Sequence, residues 1–224
     1  MKTHGRRDVV IETAEAALAG ELWLPDGAPG VVLFAHGSGS SRLSPRNRCV
    51  AEEITRGGVG TLLFDLLTVA EERRDRMDAS LRFDIGLLAR RLAGATRWLG
   101  TQPWARTLHV GYFGASTGAA AALVASVECE VQAIVSRGGR PDLAGVALPQ
   151  VLAPTLLIVG SLDPVVLDLN RQAQAQLRCE SRLEIVPGAT HLFEEPGTLE
   201  QVATLATAWF QRWLSGAPAT ARRR

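Results

Sequence analysis

A serine between two glycines is the strongest chemical signal in the sequence. Residues 112–118 read YFGASTG, which places Gly114, Ser116 and Gly118 in the pattern G-x-S-x-G. Between a strand and a helix, this pattern exposes a serine hydroxyl on a strained turn where the chain approaches itself closely. The alternative interpretation is a tight turn that uses glycine only to pack a helix on a strand. The placement between an apolar run and a small-residue helical run favours Ser116 as a nucleophile.

A nucleophilic serine needs a base to take its proton. Of the four histidines, His191 is the candidate, because it stands in the segment GATHLFEE after the last apolar run of the chain. His4 lies in the N-terminal tail, and His109 begins a strand pattern. His36 belongs to a separate glycine-rich loop, where a structural role is expected.

The base in turn needs a carboxylate that orients it. Asp163, in the segment SLDP, directly follows an apolar run and is the preferred candidate. Its alternative role is that of a turn or cap residue before a proline. Asp142 follows the preceding apolar run and remains a substitute, whereas Asp168 falls inside a helical pattern, where a solvated surface position is the simpler interpretation.

The glycine-rich loop in VVLFAHGSGSSR, residues 31–42, could bind a phosphate or direct a backbone amide at a carbonyl group. The dinucleotide pattern G-x-G-x-x-G fails because Arg42 occupies the last position, and the phosphate-loop pattern lacks its lysine. The loop is therefore predicted to supply an oxyanion-hole amide. The two donors are expected to be the backbone N–H groups of Ser38 and Thr117.

Composition excludes several classes of function. The 24 basic and 23 acidic residues give a net charge of +1, which does not suit a nucleic-acid-binding surface. No apolar segment has the length of a membrane span or a signal peptide, so no membrane partner is expected. Lys2 is the only lysine, which argues against phosphate-loop and Schiff-base chemistry. The three separated cysteines indicate reduced thiols in a cytoplasmic protein, with neither a disulfide framework nor a metal site.

Apolar runs that alternate with helical patterns predict an α/β fold: a doubly wound, mostly parallel sheet with helices on both faces. The expected strands are 18–25, 31–36, 60–66, 108–114, 131–136, 154–160 and 182–188. The expected helices are 45–57, 81–99, 116–127, 165–177 and 197–214. Residues 137–153 form the longest irregular connection and are too short for a sizeable cap domain. We expect a single domain over residues 1–216 and a flexible basic tail at 217–224.

Four segments together resemble the α/β-hydrolase superfamily, in its dienelactone hydrolase-like branch: LFAHGSGSS, GASTG, SLDP and GATHLFEEPG. The similarity covers residues 9 to 214 or so. It implies hydrolysis of an ester or lactone without a cofactor, by a triad of Ser116, Asp163 and His191 in the chain order of this fold. One residue departs from the branch, because dienelactone hydrolases use a cysteine nucleophile and position 116 is serine. Relatives also occur fused to phosphoribosyltransferase-like domains, and no such domain is expected in these 224 residues.

Arginines near the predicted site could bind an anionic group of the substrate. They are Arg42, Arg46, Arg48, Arg137 and Arg140, of which Arg137 is preferred because it ends a strand. The alternative for each is an ordinary surface or structural ion pair. Phe193 and Leu66 are candidates to line an apolar acyl pocket, although either could belong to the core.

The sequence as a whole predicts a serine hydrolase that cleaves small carboxylic esters or lactones through an acyl-enzyme. Two alternatives stay open. An acyltransferase or perhydrolase would use the same residues, and a small-molecule-binding module could retain them without catalysis. The oligomeric state also stays open, with a homodimer as one candidate.

Overall fold

Eight strands form one sheet in the computed structural model, which describes residues 5–216. The predicted basic tail at 217–224 lies outside the described residues. The strands are β1 (Arg7–Glu12), β2 (Ala17–Trp23), β3 (Gly30–Ala35), β4 (Gly60–Phe64), β5 (His109–Ala115), β6 (Ala133–Arg137), β7 (Thr155–Gly160) and β8 (Ser181–Val186). Their spatial order is β1-β2-β4-β3-β5-β6-β7-β8. β2 runs antiparallel to its neighbours β1 and β4, and strands β3 to β8 are parallel.

Helices cover both faces of the sheet, which confirms the predicted doubly wound α/β architecture. They are α1 (Pro45–Arg56), α2 (Val69–Asp78), α3 (Ile85–Thr101), α4 (Thr117–Glu128), α5 (Pro164–Gln174) and α6 (Thr198–Leu214). One apolar cluster packs α3 and α4 on the sheet, and the other packs α1 and α6 on the opposite face. Because both faces are covered, β3, β4 and β7 are buried at every position, and their sequences show no alternation of polar and apolar residues.

Residues 5–216 contain no sizeable cap, as predicted. The irregular connection expected at 137–153 takes up the end of β6 and a 3₁₀ segment, Pro141–Gln150, which is broken at Gly145. This segment packs against α4 and α5. Across residues 5–216, no helix has both the length and the apolar character needed to span a membrane.

Two elements were missing from the sequence prediction. β1 is an edge strand in which only Ile11 is buried, so it lacks the apolar run that marked the inner strands. α2 buries only Asp75 and has no apolar stripe. A recognisable signal was nevertheless present, because Thr68 and Glu71 form a capping box at the start of α2.

The first turn of α4 approaches the end of β3 so closely that only glycine fits. A Cβ on Gly118 would meet the carbonyl oxygen of Ala35 and would lie 2.7 Å from that of His36. A Cβ on Gly114 would lie 2.7 Å from the backbone nitrogen of Ala119. All the clashing atoms belong to the backbone, so they cannot move aside as a flexible side chain would. The two glycines therefore bring strand, turn and helix into contact.

The loop after β3 is held in place by a buried histidine. Nδ1 of His36 lies 3.0 Å from the carbonyl oxygen of Gly37, and Nε2 accepts the N–H of Leu66 at 3.1 Å. Accepting at Nε2 requires the neutral tautomer with its proton on Nδ1. Burial lowers the pKa of His36, which favours the same neutral form. His36 thus joins the loops that follow β3 and β4, in agreement with the structural role expected of it.

We predict that Gly118→Ala destabilises the fold by about 3 kcal/mol or more, because the added methyl group forces the first turn of α4 away from the backbone at the end of β3. Gly100→Ala is the matched control, since Gly100 lies exposed in α3 and a Cβ there would meet nothing within 4 Å. This control should be stabilised by about 0.5–1 kcal/mol, the usual gain of alanine over glycine in a helix. Urea unfolding of both variants measures the difference, and equal midpoints would contradict the proposed close packing.

We also predict that stability decreases as the pH falls below about 6.5, the ordinary pKa of histidine. His36 takes up a proton in the unfolded chain at that pH but resists it in the folded protein, because burial lowers its pKa. The variant His36→Asn, which cannot titrate, should start from a lower stability and lose less of it between pH 7 and pH 5. Urea unfolding at the two pH values tests this, and an identical loss in both proteins would refute it.

Candidate active site

Ser116 lies in the turn between β5 and α4 with a backbone that serine rarely adopts. Its φ is 51° and its ψ is −121°, outside the regions allowed to most side chains. Two contacts hold this conformation: its N–H donates to the carbonyl of Arg137 at 3.3 Å, and its carbonyl accepts the N–H of Arg140 at 3.0 Å. Ser116 is the N-cap of α4, yet its hydroxyl makes no capping hydrogen bond. Within residues 5–216 the hydroxyl makes no hydrogen bond, and the residue is half-buried.

Asp163 and His191 are joined by a hydrogen bond. Oδ2 of Asp163 lies 2.7 Å from Nδ1 of His191, with the aspartate side chain 15% exposed and the histidine side chain 39% exposed. Asp163 is the N-cap of α5, and it too makes no capping hydrogen bond. Its carboxylate, which would ordinarily accept an N–H of the first turn, is directed to the imidazole instead.

Neighbouring strands explain why these two residues meet. β7 and β8 are paired in parallel, so the loops that follow them leave the sheet side by side. The N–H of Leu162 donates to the carbonyl of Ala189 at 2.9 Å, and the N–H of Gly188 donates to Oγ of Ser161 at 2.8 Å. These bonds fasten the loop of Asp163 to the loop of His191.

His191 lies next to Gly138, which follows β6, and the last residue of β6 accepts the N–H of Ser116. A Cβ on Gly138, one residue after β6, would lie 3.6 Å from Cε1 of His191 and 3.1 Å from its carbonyl oxygen. Within residues 5–216 the side chains of Ser116 and His191 are not hydrogen-bonded to each other. In free enzymes such a contact is often long and shortens only when substrate binds.

The other two aspartates that the sequence left open have different partners. Asp142 accepts two hydrogen bonds from Arg140, at 2.9 and 2.8 Å. Asp168 is exposed on α5 and pairs with Arg171 at 3.0 Å. Of the three candidates, Asp163 is the one whose carboxylate contacts His191.

Two backbone N–H groups beside Ser116 have no acceptor among the residues that the structure describes. They belong to Ser38 and Thr117, the donors expected from the sequence. Thr117 directly follows Ser116 at the start of α4, where helix N–H groups are unpaired. Ser38 follows Gly37, where a Cβ would lie only 3.1 Å from Cβ of Ser116. The absence of a side chain on Gly37 therefore allows the loop to reach the serine.

A cavity of about 310 Å³ borders the same loop. One wall is the glycine-rich loop from His36 to Ser41, and the other comes from α2 and the turn after it, including Asp75 and Arg82. Burial alone would raise the pKa of Asp75, but hydrogen bonds from the backbone and side chain of Arg82 and from the N–H of Leu81 lower it. Asp75 therefore stays charged and keeps this wall folded. The sequence prediction missed this wall because α2 has no apolar stripe.

Three of the residues predicted to contact the substrate are buried, whereas Arg42, Arg46, Arg48 and Arg140 are partly exposed. Arg137 is 7% exposed at the end of β6, and Phe193 and Leu66 are 1% and 0% exposed in the two apolar clusters. Phe193 lies beneath the loop of His191, where its Cε2 would be 3.4 Å from a Cβ on Gly138. Packing accounts for both apolar side chains, and their contact with a substrate stays a prediction.

Metal-ligating side chains do not cluster within residues 5–216 in a way that could hold an ion. Cys49, Cys129 and Cys179 are free and half-buried. Burial raises the pKa of all three thiols, so each favours its neutral form.

Comparison with known proteins places the chain in a family. No protein-family model matches it. A crystal structure of a dienelactone hydrolase from Anabaena variabilis is 58% identical, with a TM-score of 0.92 over 93% of this chain and 98% of the other. A Xanthomonas campestris protein described as an α/β serine hydrolase without lid is 19% identical, with a TM-score of 0.76 over 96% and 98% of the two chains, and shares the fold.

A curated relative from Mycobacterium tuberculosis is 59% identical and bears the name "putative phosphoribosyl transferase". The match covers 93% of this chain but 47% of that protein, so the chain spans about half the length of the curated relatives it matches first. The high identity to the Anabaena protein, over nearly the whole of both chains, decides the family. This chain belongs to the dienelactone hydrolase-like branch of the α/β-hydrolases.

Proposed function

We propose that this protein is a serine hydrolase that cleaves small carboxylic esters or lactones. One observation carries the proposal. Ser116 and Asp163 are the N-cap residues of α4 and α5, yet neither side chain makes a capping hydrogen bond, and the carboxylate of Asp163 binds His191 instead. Serine and aspartate normally stabilise a helix at this position, so two such exceptions at one edge of the sheet need another role. The name of the Anabaena relative supports the same chemistry.

In the first step, Oγ of Ser116 attacks the carbonyl carbon of the ester. Nε2 of His191 accepts the hydroxyl proton as the new C–O bond forms. The resulting imidazolium is stabilised by Asp163, which accepts a hydrogen bond from Nδ1. The same hydrogen bond holds the proton on Nδ1 in the free enzyme, which leaves Nε2 free to act as the base.

The N–H groups of Ser38 and Thr117 would then bind the negatively charged oxygen of the tetrahedral intermediate. Both are backbone groups whose directions are set by the fold, so they need no reorganisation when the charge develops. Collapse of the intermediate breaks the bond to the leaving oxygen, which receives its proton from His191. An acyl group is left on Ser116.

Water completes the cycle by the same route. His191 takes a proton from the water as its oxygen attacks the acyl carbon, and then returns a proton to Oγ of Ser116 as the acid leaves. If another nucleophile took the place of water, the protein would be an acyltransferase or perhydrolase. The 310 Å³ cavity beside the oxyanion loop is large enough for part of a small ester, which fits a small-molecule substrate.

We predict that Ser116→Ala lowers the hydrolysis of p-nitrophenyl butyrate by about 10⁴-fold or more, because the nucleophile is removed. Ser126→Ala is the matched control, since Ser126 lies in α4 and its hydroxyl donates to the carbonyl of Leu123. A fluorophosphonate probe should label the unchanged protein and the control but not Ser116→Ala. Failure of the unchanged protein to react would overturn the proposal in favour of a binding module.

The acid is tested by a second pair of variants. Asp163→Asn should lower kcat by about 10³- to 10⁴-fold, because an amide cannot hold the imidazole in its productive tautomer. Asp142→Asn removes a carboxylate that pairs with Arg140 and not with His191, so its kcat should stay close to that of the unchanged protein. The reverse result would make Asp142 the acid.

Adding hydroxylamine or hydrogen peroxide to the ester assay separates hydrolysis from acyl transfer. The proposed hydrolase should convert most of the ester to free acid. Predominant transfer to either acceptor would assign the protein to the alternative class.

A further inference from the structure

The sheet ends at β8 with an open edge. Among residues 5–216, β7 is the neighbour of β8, and no strand pairs with its other side. The N–H of Thr155 donates to the carbonyl of Glu180, and the N–H of Ser161 donates to the carbonyl of Val186, so these carbonyls face the side of β7. Because backbone groups alternate sides along a strand, the odd-numbered residues of β8 direct theirs outward. Such a row of N–H and C=O groups can pair with a further strand.

The odd-numbered residues of β8 are Ser181, Leu183 and Ile185, and they bring apolar surface as well as backbone to this edge. The carbonyl of Ser181 accepts Nε2 of Gln174 at 3.4 Å, which agrees with its outward direction and leaves a second lone pair for another donor. Leu183 is half-buried, and Ile185 is 39% exposed. A strand added at this edge would therefore cover apolar side chains in addition to satisfying the backbone.

Two opposite charges lie on the other face of β8. Arg182 and Glu184 point to the side of Val186, which packs in the apolar cluster under α1 and α6, because side chains alternate along a strand. The two residues pair with each other along the strand, where the side chain of Arg182 is 67% exposed and that of Glu184 is 24% exposed. Charges of one sign on an edge strand prevent it from pairing with its own copy. A strand that carries one charge of each sign can instead match its own copy.

We propose that two copies of this chain dimerise by antiparallel pairing of their β8 strands, centred on Leu183. Around the two-fold axis Leu183 lies opposite its own copy, and Ser181 lies opposite Ile185. These residues have outward backbone groups, so each pair exchanges both N–H···O bonds. Arg182 of each copy lies opposite Glu184 of the other, at the non-hydrogen-bonded position where side chains come closest. A symmetric dimer needs a self-complementary surface, and β8 is self-complementary in both backbone and charge.

The charges select this register over its neighbours. Hydrogen-bonded pairs must join outward-facing residues, so the register can change only in steps that preserve the alternation of the strand. One step in one direction brings Arg182 opposite Arg182, and one step in the other direction brings Glu184 opposite Glu184. Like charges directly opposite each other are destabilising, whereas opposite charges are stabilising. The backbone and the charges therefore favour the same arrangement.

This pairing joins the two sheets into one continuous sheet without covering either candidate active site. On the face opposite the charges, Leu183 and Ile185 become neighbours of the same residues of the other copy, which covers the exposed part of Ile185. The strands run in opposite directions across the axis. The carboxyl edges of the two sheets, which carry Ser116 and His191, therefore lie at opposite edges of the dimer. The dimer is thus independent of the proposed hydrolysis, and activity is not its readout.

The main test reverses the two charges and measures dimerisation by sedimentation equilibrium. Arg182→Glu brings two glutamates face to face, and Glu184→Arg brings two arginines face to face. Each variant should dimerise about 10- to 100-fold more weakly than the unchanged protein. An equimolar mixture of the two variants restores opposite charges at both positions, so it should form a mixed dimer about as tightly as the unchanged protein. Glu12→Arg is the matched control, because it reverses an exposed carboxylate on the other edge strand, β1, and should leave dimerisation unchanged.

Three results of this experiment would overturn the proposal. The first is an unchanged protein that stays monomeric at the highest concentration reached. The second is a pair of single variants that dimerise as tightly as the unchanged protein. The third is a mixture of folded variants that does not associate, because the charges would then not lie opposite each other.

Hydrogen exchange gives a second test that needs no variant. In the monomer the N–H groups of Leu183 and Ile185 face water, whereas in the dimer each donates to a carbonyl of the other copy. Their exchange in the unchanged protein should be about tenfold or more slower at high concentration than after dilution. The N–H of Glu184, which faces β7, is the internal reference and should change less. A dimer in which Leu183 and Ile185 exchange as fast as in the monomer associates through another surface, and the proposal fails.

Discussion

The hydrogen bond between Asp163 and His191 is the interaction around which the carboxyl edge of the sheet is arranged. It forms only because two parallel neighbours, β7 and β8, end side by side and their following loops are bonded to each other. Its formation leaves the first turn of α5 without a capping side chain. Loss of such a cap typically costs about 0.5–2 kcal/mol, so the fold gives up stability to direct one carboxylate at one imidazole.

A second local cost lies at Ser116. Its positive φ belongs to the sparsely populated backbone conformations that cost about 1–3 kcal/mol. The turn persists because Gly114 and Gly118 have no side chain, which allows the backbone of α4 to pack directly against the backbone at the ends of β3 and β5. The apolar clusters on both faces of the sheet offset these costs, since they bury most of the side chains of strands β3 to β7. The strained backbone of Ser116 and the two helix N-termini without a side-chain cap thus lie at the same edge of the sheet.

Electrostatics around this edge follow a consistent pattern. Two ion pairs lie around the glycine-rich loop and α2: Asp75 pairs with Arg82, and Arg42 pairs with Asp65. The buried histidine of the glycine-rich loop is kept neutral by its surroundings. Arg137 departs from the pattern as a buried and unpaired cation, and Arg46 reinforces its charge. A buried positive charge therefore lies at the carboxyl end of β6.

The sequence alone determined much of this protein. Continuous apolar runs predicted the inner parallel strands, and G-x-S-x-G placed Ser116 at a strand–helix turn, because both signals depend on residues close together in the chain. β1 and α2 escaped prediction because neither buries enough apolar surface to create a periodic pattern. Only the tertiary structure decided that Asp163 rather than Asp142 contacts His191, and that Arg137 alone of five arginines lacks a carboxylate. Asp163 and His191 are far apart in the chain, and they come into contact only when β7 and β8 are aligned in the folded sheet.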